Sequence, residues 1–109
     1  MQSIERDYYI ITAIEALPDA TQRELAVHLR MSLGKMNYSL KDLEARDQRL
    51  DAVQREDGRW AKLYELTSKG IAQKQDLIAQ FIALKKVELE EIESEIDLAE
   101  QLVKAKSNN

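Results

Sequence analysis

The sequence predicts a mainly α-helical fold with one small β-hairpin, built around a helix-turn-helix and ending in a long coiled-coil helix. Three stretches carry that expectation. Thr21–Leu43, TQRELAVHLRMSLGKMNYSLKDL, holds apolar residues at helical spacing on both sides of a short break. Glu56-Asp57-Gly58-Arg59 contains the Asp-Gly pair favoured at hairpin tips, because glycine tolerates positive φ. Ile71–Val103 keeps a three-four apolar alternation that neither proline nor glycine interrupts.

Taken in order, Ser3 can cap a first helix running to about Leu17. Ile4, Tyr8, Ile11 and Ile14 form its apolar stripe, and Pro18-Asp19 ends it. Tyr9 and Ile10 lie off that stripe, and are expected against a partner chain or the C-terminal helix. The second helix opens with a capping box, in which the Thr21 hydroxyl accepts from the Glu24 N–H and Glu24 reaches back. Leu25 and Leu29 face inward, and the small Ala26 allows a close crossing. Arg30-Met31-Ser32 is the turn, with Ser32 as the next N-cap. Were Arg30 to take positive φ, the strain would be on the order of 1 kcal/mol.

In the third helix, about 33–46, Leu33, Met36, Leu40 and Leu43 are expected inward. Gly34, Lys35, Asn37, Tyr38 and Lys41 are left outward. This helix should fray near Arg46–Gln48. The hairpin covers 50–66, with Leu50–Arg55 as a weakly alternating first strand and Trp60–Leu66 as the return. Trp60, Tyr64 and Leu66 share one face of that return strand at period two. Thr67 caps the last helix, and Gly70 lets it approach the head closely. The seam of Ile71, Ile78, Ile82, Leu89, Ile92, Ile96, Ala99 and Val103 is broken only by Gln75 and Lys85. Helical from Ser68 to about Lys104, it would reach roughly 50 Å at 1.5 Å per residue. Its own small head cannot cover it, so a homodimer through Ile78, Ile82, Leu89, Ile92, Ile96 and Val103 is expected. The organisation expected is a head over 1–67 and a dimerisation helix over 68–109.

A chain of 109 residues allows one modest core, and 33% charged residues fit extensive solvated helix. With no cysteine there is no disulfide, thiolate metal site or cysteine redox switch. No apolar run is long enough to span a bilayer and no leader is evident, so a cytoplasmic location is expected. The net charge of −4 argues against indiscriminate binding to nucleic acid. That average hides a gradient. Thr21–Lys62 has nine basic and seven acidic residues, whereas Ile71 onward has five lysines against eight acids.

TQRELAVHL followed by SLGKMNYSLKDL, and later LYELTSKGI, resembles the MarR-type winged helix-turn-helix regulators over roughly residues 4–85. Within them it is most similar to the short bacterial branch associated with exopolysaccharide gene clusters. The resemblance implies a dimeric transcriptional regulator that binds a double-stranded DNA operator. Its DNA face would comprise Thr21, Gln22, Ser32, Gly34, Lys35, Asn37, Tyr38 and Lys41, with Arg55 and Arg59 on the wing. The chemistry suits the task. Asn can pair with adenine, Ser and helix-start N–H groups hold phosphate, and Lys35 can reach guanine or phosphate. Arg55 and Arg59 could equally pair with Glu56 and Asp57. A small-molecule effector is implied by analogy alone.

Trp60 is expected as a core lid and His28 as a surface or half-buried histidine. No arrangement activates a nucleophile, binds a metal or cradles a phosphate, so neither an enzyme nor a cofactor is expected. The alternative to a regulator is a winged-helix protein-interaction module with a coiled-coil arm and little DNA affinity. The acidic net charge favours that alternative.

Overall fold

Among the described residues, four helices and two paired strands follow one another in the expected order. A computed structural model of the chain describes residues 3–45, 48–54 and 62–107. Helix α1 spans Ser3–Ala16, α2 Gln22–His28, α3 Leu33–Ala45 and α4 Ser68–Ser107; strand β1 is Leu50–Gln54 and β2 Lys62–Leu66. The strands pair antiparallel, with Leu50 opposite Leu66, Ala52 opposite Tyr64 and Gln54 opposite Lys62. The hairpin tip, Trp60, and the cap expected of Ser3 lie outside what is described.

Local chemistry sets the ends of the middle elements. The Thr21 hydroxyl accepts the Glu24 N–H at 3.2 Å, the half of the capping box that Thr21 supplies. Helix α2 closes in a Schellman motif: Arg30 N–H donates to Val27 O at 3.2 Å and Met31 N–H to Ala26 O at 2.8 Å. Such a motif needs a left-handed residue, and Arg30 supplies it at φ 56°. The Ser32 hydroxyl then accepts the Lys35 N–H at 3.1 Å and starts α3.

The core forms where α1, α2, α3 and the hairpin meet. It contains Ile10, Ala13, Ile14, Leu25, Ala26, Met36, Leu40, Leu43, Leu50 and Tyr64, with Leu29, Met31 and Leu66 at its margin. Two sequence expectations are corrected here. Ile10 is fully buried in this core, because α1 is covered by the head on one side and by α4 on another. Leu33, expected inward, is 42% exposed at the first turn of α3. On β2, Tyr64 and Leu66 face the core as period two requires, and Leu63 is buried as well.

Helix α4 begins against the exit from α3. The Thr67 hydroxyl accepts the Gly70 N–H at 3.0 Å and donates to Gln48 O at 2.7 Å, while Thr67 N–H donates to Arg49 O at 2.9 Å. A Cβ on Gly70 would stand 2.5 Å from the Arg49 carbonyl oxygen, so only glycine permits this approach. Gln48 holds φ 54°, a second left-handed residue that is not glycine. Farther along, Phe81 stacks on Tyr8 with centroids 3.7 Å apart and meets Tyr9 edge-on at 5.5 Å. Tyr9 thus contacts the C-terminal helix, as its place off the stripe predicts. Lys74 pairs with Glu15 at 2.8 Å, and Lys85 with Glu5 at 2.7 Å.

Beyond Lys85 the helix leaves the head. Every residue from Leu89 to Lys106 is exposed, and the molecule measures 72 × 27 × 21 Å. The helix ends at Ser107, three residues beyond the expected Lys104.

Candidate nucleic-acid interface

Helix α3 has two sharply different sides. Met36, Ser39, Leu40 and Leu43 are essentially inaccessible. At 100° per residue, Gly34, Tyr38 and Lys41 align on the opposite side, with Lys35 and Asn37 flanking them. Gly34, Lys35, Tyr38 and Lys41 are exposed and Asn37 is half-buried. Tyr38 is 69% exposed. Added to Gly34, a Cβ would meet nothing within 4 Å.

Ser32 is exposed beside this line, its hydroxyl oxygen accepting from Lys35 N–H. Thr21 and Gln22 are half-buried at the start of α2, with the Thr21 hydroxyl engaged in its cap. Arg55 and Arg59 lie outside the described residues. His28 is exposed, and among the described residues no group of three His, Asp or Glu side chains could hold a metal ion.

Behind the reading side lies a feature that sequence reasoning missed. Arg6 of α1 bonds Asp7 at 2.8 Å and reaches across to Asp42 of α3 at 2.7 Å. Asp7 also receives Arg49 Nη1 at 3.3 Å, and Arg49 Nε donates to Gln73 of α4 at 3.1 Å. Arg6, Asp7 and Asp42 side chains are only 9–12% exposed. Ionic groups so buried need partners, and here each has one. The chain of charges ties α3 to α1, and α1 to the base of α4. One signal was available. Ile4, Asp7, Ile11 and Ile14 share the three-four spacing of the inward stripe, so a carboxylate stood where burial was expected.

The dimerisation positions form a separate surface. Ile78 is half-buried; Ile82, Leu89, Ile92, Ile96 and Val103 are between 47% and 66% exposed in the single chain. The residues that α4 turns to its own head are Gly70, Gln73, Leu77, Phe81 and Lys85, about a quarter-turn round the helix from Ile78 and Ile82. Lys85, which seemed to break the seam, extends its amine to Glu5 and Glu88. Those bonds hold the Lys85 amine above its ordinary pKa, and hydrogen bonding with Lys85 and then Glu88 holds the Glu5 carboxyl below its own.

Neither a family model nor a curated protein matches the chain. Solved structures do. A MarR family transcription regulator superimposes with TM-score 0.62 at 20% identity, over 75% of this chain and 54% of that one. The PcaV transcriptional regulator from Streptomyces coelicolor, in complex with its natural ligand, gives 0.68 at 21% identity, over 96% and 76%. Streptococcus pneumoniae FabT in complex with DNA gives 0.60 at 26% identity, over 82% and 61%. The chain thus spans about half the length of the first and three-quarters of the second. The fold is that of the MarR-family winged helix-turn-helix transcription regulators, and the first two of these solved structures are transcription regulators. No helix among the described residues is long and apolar enough to cross a membrane.

Proposed function

We propose that the chain is a sequence-specific DNA-binding transcription regulator of the exopolysaccharide-associated MarR branch, acting as a homodimer. Residues 1–67 form the DNA-binding head and 68–109 the dimerisation helix. Helix α3 enters the major groove, and the hairpin lies near the backbone. The observation that carries this is the exposed line of Gly34, Lys35, Tyr38 and Lys41 on a helix whose other side is sealed into the core. The branch assignment rests on SLGKMNYSLKDL and LYELTSKGI.

The small basic excess of Thr21–Lys62, outweighed by acids elsewhere in the head, is too weak for tight binding by one copy, so two linked heads supply the affinity. Each reading helix would occupy a half-site of a pseudo-palindrome, about one helical turn from the other. Selection of genomic fragments by the purified protein, followed by salt titration of the selected duplex, tests the proposal. Affinity should fall linearly on logarithmic axes, with a slope set by the phosphates contacted. Failure to retain any fragment at low salt would refute it.

The second reading, a protein-interaction module, is favoured by the −4 net charge and the exposed apolar arm. It predicts stable association with another protein and no salt-sensitive DNA binding. For a small-molecule effector, Arg49 of the head and Gln73, Asp76, Leu77 and Gln80 of α4 line a polar cleft. Thermal-shift measurement against small organic acids, compared with an Arg49→Met variant, tests that extension.

A further inference from the structure

The proposed homodimer leaves open how two arms lie against each other, and the charges beside the seam differ for the two orientations. Heptad lettering places Gln75, Ile82, Leu89 and Ile96 at a, and Ile78, Lys85, Ile92 and Ala99 at d. Glu88 and Glu95 then occupy g, while Lys86, Glu93 and Glu100 occupy e. In a parallel pair each g residue faces the partner's e residue five positions on. Glu88 would face the partner's Glu93, and Glu95 the partner's Glu100, on both sides of the seam. Lys85 would also meet its own copy in a core layer. Like charges at these positions oppose that pairing.

We infer that the occupant of the seam is a second copy of this chain running antiparallel, crossing between Glu90 and Glu91. In that register Leu89 packs on the partner's Ile92 and Ile82 on the partner's Ala99. Lys86 reaches the partner's Glu93 twice, which offsets the two contacts of Glu88 with the partner's Glu95, whereas the parallel pair has four like-charge contacts and nothing to offset them. Lys85 lies opposite the partner's Ile96, where its aliphatic stem can pack while its amine stays with Glu5 and Glu88. The inference rests on the homodimer reading and adds its orientation.

Two further observations fit. The seam points about a quarter-turn away from the side that Leu77 and Phe81 press onto the head, so a partner helix can run past Ile82 without displacing α1. Leu77, the last buried residue of α4, is also some 20 Å from the crossing point at 1.5 Å per residue. Antiparallel arms therefore set the two heads roughly 40 Å apart along the axis, close to the ~35 Å of one DNA turn. Parallel arms would put both heads at one end, side by side.

The chain has no cysteine, so introduced pairs report without background. Full-length Ile82→Cys and Ala99→Cys variants are oxidised separately and after co-expression, with sedimentation run on each. The expected result is dimers throughout and an interchain disulfide only in the co-expressed sample. A disulfide in either variant alone overturns the antiparallel orientation while leaving the homodimer standing. Dimers that form no disulfide in any sample overturn the crossing point. Monomers in sedimentation, with wild type also monomeric, remove the homodimer reading itself.

Discussion

Arg6 Nη2 lies 2.7 Å from Asp42 Oδ2, and this bond fastens the first helix to the helix that carries the candidate reading face. Both side chains are almost out of solvent, at 12% and 10% exposure. Arg6→Met would remove the guanidinium that bridges Asp42 and Asp7, leaving Asp7 with Arg49. Removing one member of a buried pair costs on the order of 3 kcal/mol, so urea unfolding should show a large loss. A loss near that of an exposed pair, below about 1 kcal/mol, would show that the network carries no structural weight.

Arg30 and Gln48 hold φ values of 56° and 54°, where a Cβ crowds the backbone. Arg30→Gly and Gln48→Gly should each raise stability by about 1 kcal/mol, less what glycine's looser unfolded chain returns. The turns are separate, so the gains should add. Chemical denaturation of the two single variants and the double variant checks both the sign and the additivity.

The two helical glycines should behave oppositely. Gly70→Ala forces a methyl to within 2.5 Å of the Arg49 carbonyl, and overpacking of that kind costs about 1–3 kcal/mol. Gly34→Ala meets open space, and alanine's helix preference predicts unchanged or slightly higher stability. If α3 enters a groove as proposed, the same Gly34→Ala should weaken DNA binding. Thermal melts and fluorescence anisotropy, run on both variants, separate the effects.

Lys35→Ala and Asn37→Ala address the reading face directly. Both leave the buried side of α3 untouched, so melting temperatures should stay near wild type. On a selected duplex, Lys35→Ala should reduce the salt slope by about 1 if it contacts phosphate. Loss of one good base contact by Asn37→Ala is worth about 1–3 kcal/mol of discrimination. A double variant with wild-type affinity and selectivity would take α3 out of the groove.

Glu5 and Lys85 make the clasp between α1 and α4 sensitive to acid. The folded-state pKa of Glu5 is depressed, chiefly by its bond with Lys85. Its contribution is therefore present above the unfolded carboxyl's pKa, about 4.3, and disappears as the pH falls through the lower folded value. Wild type should be more stable than Glu5→Gln at pH 7, with the difference closing below pH 4. A gap that persists at pH 2 would mean that packing, not charge, separates the two proteins.

Most of the helix-turn-helix was legible because the bonds that define it are local. Thr21 with Glu24, Ser32 with Lys35, and Thr67 with Gly70 each lie three residues apart, and each cap forms as its residue types require. The strand pairing from Leu50 to Leu66 was legible from the return strand and from the turn signal between the strands, although that turn lies outside the described residues. Ile10 was misjudged because a stripe assumes that a helix buries one side, whereas α1 buries two. Leu33 was misjudged because helical spacing marks an apolar side but not whether another element covers each turn of it.

By itself the sequence determined the order of elements, the caps at Thr21, Ser32 and Thr67, the turn at Arg30 and the outward face of α3. All of these follow from backbone and side-chain chemistry within one or two helical turns. Only the tertiary structure decided which side of α4 meets the head, since Leu77 and Phe81 lie about a quarter-turn from a seam that reads just as well on paper. It alone brought Arg6, Asp7, Asp42 and Arg49 together, across separations as wide as 42 residues. Helical spacing fixes what a segment can bury, but which segment buries it depends on contacts made far along the chain.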